Sequence, residues 1–189
     1  MSCSIEQDIV YTDEVWDDRY NIQKEGNTGI NDFTVSRIKD GLEKIYFNED
    51  IFNESDKEKI VFKKLCIGKR SEEEFNNTGS VECSTSTTEE EPIGLIQVNE
   101  FMLASLDKNC VYSYDGQCEN YNYLSALQKG TWSITADADS TSKAYKFYGY
   151  GFSLSNCSNS TGLRMVINLS SQINYVGGTG TVDDPYIVE

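Results

Sequence analysis

The stretch that decides the fold is 132–189, which reads WSITADADSTSKAYKFYGYGFSLSNCSNSTGLRMVINLSSQINYVGGTGTVDDPYIVE. Within it, RMVINL at 164–169 is nearly continuously apolar and rich in β-branched residues, which predicts a buried strand. GGTGT at 177–181 predicts a turn that takes positive φ angles. In the closing segment DDPYIV, Pro185 suits the first position of an edge strand. We expect this last strand to pair with 8–11, so that both chain ends lie in one sheet.

The clearest helix is predicted over 34–47. Four apolar residues recur there at three- and four-residue spacing and form one stripe, which is typical of a helix that packs on a core. They are Val35, Ile38, Leu42 and Ile45. Asp32 or Thr34 is expected to cap the helix N-terminus.

Shorter elements are predicted on both sides of the chain midpoint. Strands are expected over 60–67, 93–98 and 132–135, and short helices over 100–106 and 120–128. Residues 144–154 carry aromatic side chains on both faces of the strand alternation, which predicts one strand buried on both sides.

The order of five motifs resembles a bacterial surface module. The chain reads PIGLI at 92–96, NEFMLA at 99–104, WSIT at 132–135, GLRMVINL at 162–169 and GGTGTVDDPYIV at 177–188. This resembles the ordered form IGLITxDExxLAG, WTxTP, GVRPVIxL, GGTGTxDPYxI. Such modules are similar to the C-type lectin-like and formylglycine-generating-enzyme-like superfamily, and they often follow pilin-type signal segments in secreted bacterial proteins. Leu163 and Met165 stand where the family usually has Val and Pro. The resemblance spans 92–188, roughly half of the chain.

The resemblance implies an α+β, C-type lectin-like fold. It has mixed, mostly antiparallel sheets, two or three short helices, and paired N- and C-terminal strands, in a single domain over 1–189. The family signature is structural and transfers no active site. In the superfamily the loop region near Asn156 and Asn159 faces the ligand, which implies a ligand-binding site at these two residues. An ordinary solvated loop is the alternative interpretation of the same residues.

Residues 69–91 differ in character from the rest of the chain. They contain few large apolar residues and many Ser, Thr and Glu residues. A segment of this composition buries too little surface to offset its ordering entropy, so we expect an exposed, acidic and flexible loop. The sheet needs strands from both sides of this loop, so we do not divide the chain there.

The charge of the chain limits its partners. There are 31 acidic and 16 basic residues, for a formal net charge of −15 at pH 7. Such a chain repels phosphate backbones, which argues against nucleic acid as a partner. No apolar run reaches membrane-spanning length. We therefore expect membrane attachment only through a removed or absent N-terminal segment.

The six cysteines favour an extracellular or cell-surface location. None belongs to a CxxC pair, and the chain has no histidine, which removes the usual mixed Cys/His zinc ligand sets. Cys110 and Cys118 flank an Asp-Gly hairpin turn and are the pair best placed for a disulfide. Cys66 and Cys83 flank the polar segment and form a second predicted pair, which leaves Cys3 and Cys157 by elimination. Free buried thiols in a cytosolic protein are the alternative.

The catalytic chemistries that the sequence suggests mostly fail. Without histidine, Ser-His-Asp and Cys-His nucleophile systems are impossible. Close carboxylate pairs, Asp137 with Asp139 and Asp183 with Asp184, are expected by chance in so acidic a chain. The segment 137–148 imitates the opening of an EF-hand loop, but Ser142 and Tyr148 stand where glycine and glutamate are needed. No cofactor is expected, although the superfamily includes calcium binders and an irregular calcium site stays open.

The sequence therefore predicts a non-enzymatic recognition or adhesion module of a bacterial surface or pilin-like protein. Its expected partner is a surface glycan or a protein. The alternatives are a structural surface or filament subunit without a small ligand, and a degenerate enzyme of the same superfamily.

Overall fold

The computed structural model describes residues 2–4, 14–74, 78–104, 130–148, 151–179, 184 and 186–188, with backbone only at 2–4. The helices are α1, Arg37–Phe47; α2, Glu54–Lys57; and α3, Val98–Leu103. The strands are β1, Ser2–Ser4; β2, Glu14–Val15; β3, Ile93–Leu95; β4, Thr131–Ala136; β5, Lys143–Tyr148; β6, Gly151–Asn156; β7, Ser160–Thr161; β8, Met165–Asn168; β9, Tyr175–Gly177; and β10, Ile187–Val188. Single 3-10 turns lie at Phe33–Val35 and Glu82–Ser84.

The strands form four small sheets. Two sheets have three strands, in the orders β1-β8-β3 and β4-β5-β6, and two are the pairs β2-β7 and β9-β10. Every pairing between these named strands is antiparallel. Short helices combined with antiparallel sheets confirm the general α+β class.

The two chain ends enter different sheets in the described part of the chain. β1 pairs with β8, and β10 pairs with its neighbour β9. The partner predicted for the last strand, 8–11, lies outside the described residues. The strand predicted over 164–169 is confirmed as β8, which is the central strand of its sheet.

The predicted helix over 34–47 is confirmed as α1, but its start is wrong. The side chain of Ser36 accepts a hydrogen bond from the backbone N–H of Lys39 and caps α1, which therefore begins at Arg37. Asp32 caps the preceding 3-10 turn through the N–H of Thr34. Val35 belongs to that turn and is exposed, whereas Ile38 and Leu42 are buried.

The strand predicted over 144–154 is wrong, because this segment is a hairpin. β5 and β6 pair antiparallel, with Tyr148 opposite Gly151. The aromatic residues on the two apparent faces therefore belong to two strands. Tyr145 and Phe147 of β5 are buried, and Phe152 of β6 lies opposite Phe147.

Two other predicted strands are shorter than expected. Residues 60–67 form only isolated antiparallel bridges, from Ile60 to Leu169, Lys63 to Glu91 and Cys66 to Ser86. The strand predicted over 93–98 ends at Leu95, because Val98 already begins α3. The carboxylate of Glu100 accepts a hydrogen bond from the N–H of Gln97 at 2.9 Å and fixes that helix start.

The buried side chains form two clusters. The larger contains Trp16, Ile38, Leu42 and Trp132, and the smaller contains Phe101 and Phe147. The rings of Phe101 and Phe147 stack at 4.5 Å between centroids and join α3 to β5. Each buried indole N–H is satisfied, since Trp16 donates to the carbonyl of Ser133 and Trp132 donates to that of Glu14. These contacts fasten β2 to β4.

Candidate recognition groove

The predicted ligand residues Asn156 and Asn159 lie together in the turn between β6 and β7. The N–H of Asn159 donates to the carbonyl of Asn156 at 2.9 Å, and its side chain donates to the hydroxyl of Ser155 at 3.0 Å. Both asparagines are exposed. The turn therefore presents short polar side chains to solvent, and their role in binding stays a prediction.

One predicted disulfide is confirmed and one is wrong. Cys66 and Cys83 are bonded. Cys157 is a free thiol, which contradicts the predicted bond to Cys3. The thiol of Cys157 is fully buried, and a Cβ added at Gly29 would lie only 2.7 Å from the Cβ of Cys157. This packing encloses the thiol, and burial raises its pKa. Cys110 and Cys118 lie outside the described residues.

The prediction that 69–91 is an exposed loop is wrong at Arg70, Glu82 and Thr87. The side chain of Arg70 is 1% exposed and that of Glu82 is 0% exposed. Arg70 donates from Nε and Nη2 to the two carboxylate oxygens of Glu82, at 2.8 and 3.0 Å. The carboxylate also accepts a hydrogen bond from the backbone N–H of Asn99 at 3.2 Å. This bidentate pair anchors the segment to α3, although its composition is that of a solvated loop.

The same segment forms one wall of a groove against α1. The groove has a volume of about 500 Å³. Its lining residues belong to the 3-10 turn before α1, to α1 itself, to the segment around Phe62 and to 87–92. The lining residues are Thr34, Lys39, Glu43, Phe47, Phe62, Thr87, Thr88, Glu89, Glu90, Glu91 and Pro92. The cavity that these residues line is called the groove below.

Backbone hydrogen bonds hold the 87–91 wall in place. Leu65 and Thr87 are joined twice, since the N–H of Thr87 donates to the carbonyl of Leu65 at 2.9 Å and the N–H of Leu65 donates to the hydroxyl of Thr87 at 3.0 Å. Lys63 and Glu91 exchange two backbone hydrogen bonds at 2.8 and 3.1 Å. The disulfide at Cys66 lies immediately beyond these contacts. The groove is thus built on backbone whose geometry is fixed.

The aromatic part of the groove lining consists of Phe47 and Phe62. Phe47, the last residue of α1, is 72% exposed, and Phe62 is 43% exposed. Both rings pack edge-on against the ring of Tyr46, with centroids 5.3 and 5.6 Å away. Exposed phenylalanines held on a packed aromatic base offer apolar contact area at little further cost in conformational entropy.

The charged part of the groove lining is mainly acidic. Among the described residues that line it, four are glutamates and one is a lysine. Lys39 forms ion pairs with Glu43 and, at 3.2 Å, with Glu91. Burial lowers the pKa of Lys39, but the hydrogen bonds to these two carboxylates outweigh it and leave the pKa above its ordinary value of 10.5. Glu89 and Glu90 are exposed, and neither forms an ion pair within the described part of the chain.

The carboxylate pair of Asp137 and Asp139 has a structural role. The carboxylate of Asp137 accepts a hydrogen bond from the N–H of Asp139 at 3.0 Å, so this pair shapes the turn between β4 and β5. Burial raises the pKa of Asp137. Among the residues that the structure describes, no group of three or more Cys, Asp and Glu side chains is placed to hold a metal ion. Within the same residues, no helix is long and apolar enough to cross a membrane.

Sequence reasoning missed the groove. The apolar stripe predicted to pack on the core is confirmed for Ile38, Leu42 and Ile45 but not for Val35. No binding role was predicted for Phe47 or Phe62. The sequence signal for the groove was Phe47, a large aromatic residue at the end of the predicted helix and outside its apolar stripe. The sequence does not predict the groove itself, because Phe47, Phe62 and 87–91 come together only through contacts between segments that lie apart in the sequence.

Comparisons of the chain with protein-family models, with curated proteins and with solved structures found no match. The resemblance to the lectin-like modules therefore rests on the sequence motifs, and the finer fold assignment stays a prediction.

Proposed function

We propose that this protein is a non-enzymatic recognition or adhesion module that acts outside the cytosol, with a C-type lectin-like fold. The groove carries the proposal, because it combines exposed aromatic rings with charged side chains on a fixed backbone. Binding sites gain most of their energy from a few aromatic or charged anchors of this kind. The disulfide between Cys66 and Cys83 supports the location, since such bonds persist in oxidising compartments.

The recognition function is tested by presenting the purified protein to arrays of surface glycans and of peptides. We expect specific binding to at least one array feature, and its loss in Phe47→Ser, because this change removes the more exposed ring of the groove. The matched control is Ile22→Ser, which removes another highly exposed apolar side chain outside the groove. Binding that survives Phe47→Ser but is lost in Asn156→Ala and Asn159→Ala would move the site to the predicted turn. No binding by the wild-type protein would contradict the proposal.

A structural surface or filament subunit is the second candidate, and one observation favours it. The small β9-β10 sheet carries four exposed apolar side chains: Tyr175, Val176, Tyr186 and Ile187. The rings of Tyr175 and Tyr186 contact each other edge-on at 5.6 Å. Exposed apolar side chains of this kind suit contact with another copy of the chain. Sedimentation velocity at increasing concentration tests it: self-association that is lost in Tyr186→Ser supports this candidate, and a monomer at all concentrations contradicts it.

A further inference from the structure

The charge and shape of the groove define the kind of partner it fits. We propose that the groove binds a basic segment of a partner protein, which places one apolar side chain against Phe47 and Phe62 and its cationic side chains against Glu89 and Glu90. This inference rests on the proposed recognition function and specifies its ligand class.

The carboxylates carry the electrostatic part of the inference. Lys39 is already engaged by Glu43 and Glu91, so the positive charge found among the described lining residues is compensated within the protein. Glu89 and Glu90 are exposed, and they form no ion pair with any residue that the structure describes. Their carboxylates are therefore open to lysine or arginine side chains of a partner.

The aromatic rings carry the apolar part. Phe47 and Phe62 expose their rings in the same groove as these carboxylates, and both rings pack against Tyr46. An aliphatic or aromatic side chain inserted there would exclude water from both rings. A guanidinium group would gain from contact with a ring face as well. A groove of about 500 Å³ accommodates a few side chains of an extended segment.

The lining composition favours a basic segment over a neutral glycan. Four glutamates against one lysine leave three negative charges without compensation in the groove. A neutral sugar would desolvate some of these carboxylates without neutralising them, whereas a cationic segment neutralises them. The formal charge of −15 on the whole chain also attracts a basic partner at long range and accelerates its association.

The test measures binding of a labelled ten-residue peptide by fluorescence polarisation. The probe has one central leucine between two pairs of arginines, with serine elsewhere. Two comparison peptides replace the leucine with serine or all arginines with glutamate. We expect the wild-type protein to bind the probe, to bind both comparison peptides at least about tenfold more weakly, and to lose affinity as salt is raised.

Matched variants locate the binding. Glu89→Gln with Glu90→Gln is expected to weaken probe binding about tenfold at low salt, because it removes the two open carboxylates. The control is Glu72→Gln with Glu73→Gln, which removes the same charge from two adjacent exposed glutamates outside the groove. We expect this control to change affinity by less than about twofold, since exposed charges at a distance are screened.

Four outcomes would overturn the inference. Equal weakening by both double variants would show that only the overall charge matters, and binding that is insensitive to salt would contradict the role of the carboxylates. A glycan bound by the wild-type protein and lost in Phe47→Ser, with no binding of the probe, would keep the recognition function and remove the basic partner. Failure of every glycan and every peptide to bind would remove both.

Discussion

At the scale of single residues, Arg70 and Glu82 show how a polar segment becomes part of the protein body. The sequence around them has the composition of a solvated loop, and nothing in it pairs these two charges. The structure buries both and joins them through two hydrogen bonds. A buried ion pair depends on a partner that is distant in sequence and on exclusion of water. Local composition gives no information about the distant partner or about the exclusion of water.

Substitution of Arg70 tests the importance of this pair. Arg70→Met leaves the carboxylate of Glu82 buried without its partner, and we expect a loss of about 3–5 kcal/mol in the free energy of unfolding. The measurement is urea unfolding followed by tryptophan fluorescence. Arg37→Met is the control, because its ion pair with Asp18 is exposed and is expected to contribute about 0–1 kcal/mol. Similar losses in both variants would contradict the assignment.

Glu100 provides a prediction of pH dependence. Burial raises its pKa, the hydrogen bond from the N–H of Gln97 lowers it, and the nearby charge of Glu82 raises it, so the pKa lies above its ordinary value of 4.5. A raised carboxyl pKa means that the folded state favours the protonated form. Stability gained from this group is present below pH 4.5 and is lost as the pH rises through the raised pKa.

We therefore expect the free energy of unfolding of Glu100→Gln, relative to the wild type, to increase between about pH 4 and pH 7. Glutamine keeps an oxygen that accepts the bond from Gln97. The measurement is urea unfolding of both proteins at the two pH values. Glu54→Gln is the control, since this residue is also in the first turn of a helix but its side chain is largely exposed. A difference between Glu100→Gln and the wild type that does not change with pH would contradict the prediction.

At the scale of elements, the sequence predicts helices and strands that depend on patterns of neighbouring residues. It does not predict the hairpin, which depends on where the chain reverses. The apolar stripe predicted α1, and β-branched residues predicted β8. The start of α1 was misplaced because Ser36, rather than Asp32 or Thr34, caps it. The sequence predicts one strand where β5 and β6 form a hairpin, because both arms carry aromatic residues.

The disulfide between Cys66 and Cys83 links the two flanks of the segment that carries the groove wall. The bridge closes a separation of 17 residues, for which chain entropy predicts a stabilisation of about 3 kcal/mol. We expect Cys66→Ser with Cys83→Ser to lower the free energy of unfolding by that amount and to weaken ligand binding at the groove. Thermal unfolding and the peptide-binding assay measure the two effects. The Glu72→Gln, Glu73→Gln variant serves as the control, and unchanged binding in the serine variant would contradict a groove wall that depends on the bridge.

At the scale of the whole molecule, the general α+β class was predicted, but the groove was not. The class follows from the local patterns of helix and strand that the motifs carry. The groove needs α1, Phe62 and 87–91 to meet, and the wall at 87–91 is fixed by backbone bonds to Lys63 and Leu65. The buried pair of Arg70 and Glu82 also holds this polar segment on the body of the protein.

Nuclear magnetic resonance can locate the binding site on the protein. The measurement is a titration of ¹⁵N-labelled protein with the arginine-leucine peptide, followed through the backbone amide signals. If recognition occurs at the groove, we expect concentration-dependent shifts at Thr34, Lys39, Phe47, Phe62 and Glu89, and unchanged signals at Asn156 and Asn159. Shifts centred on Asn156 and Asn159, or no shifts at any signal, would contradict it.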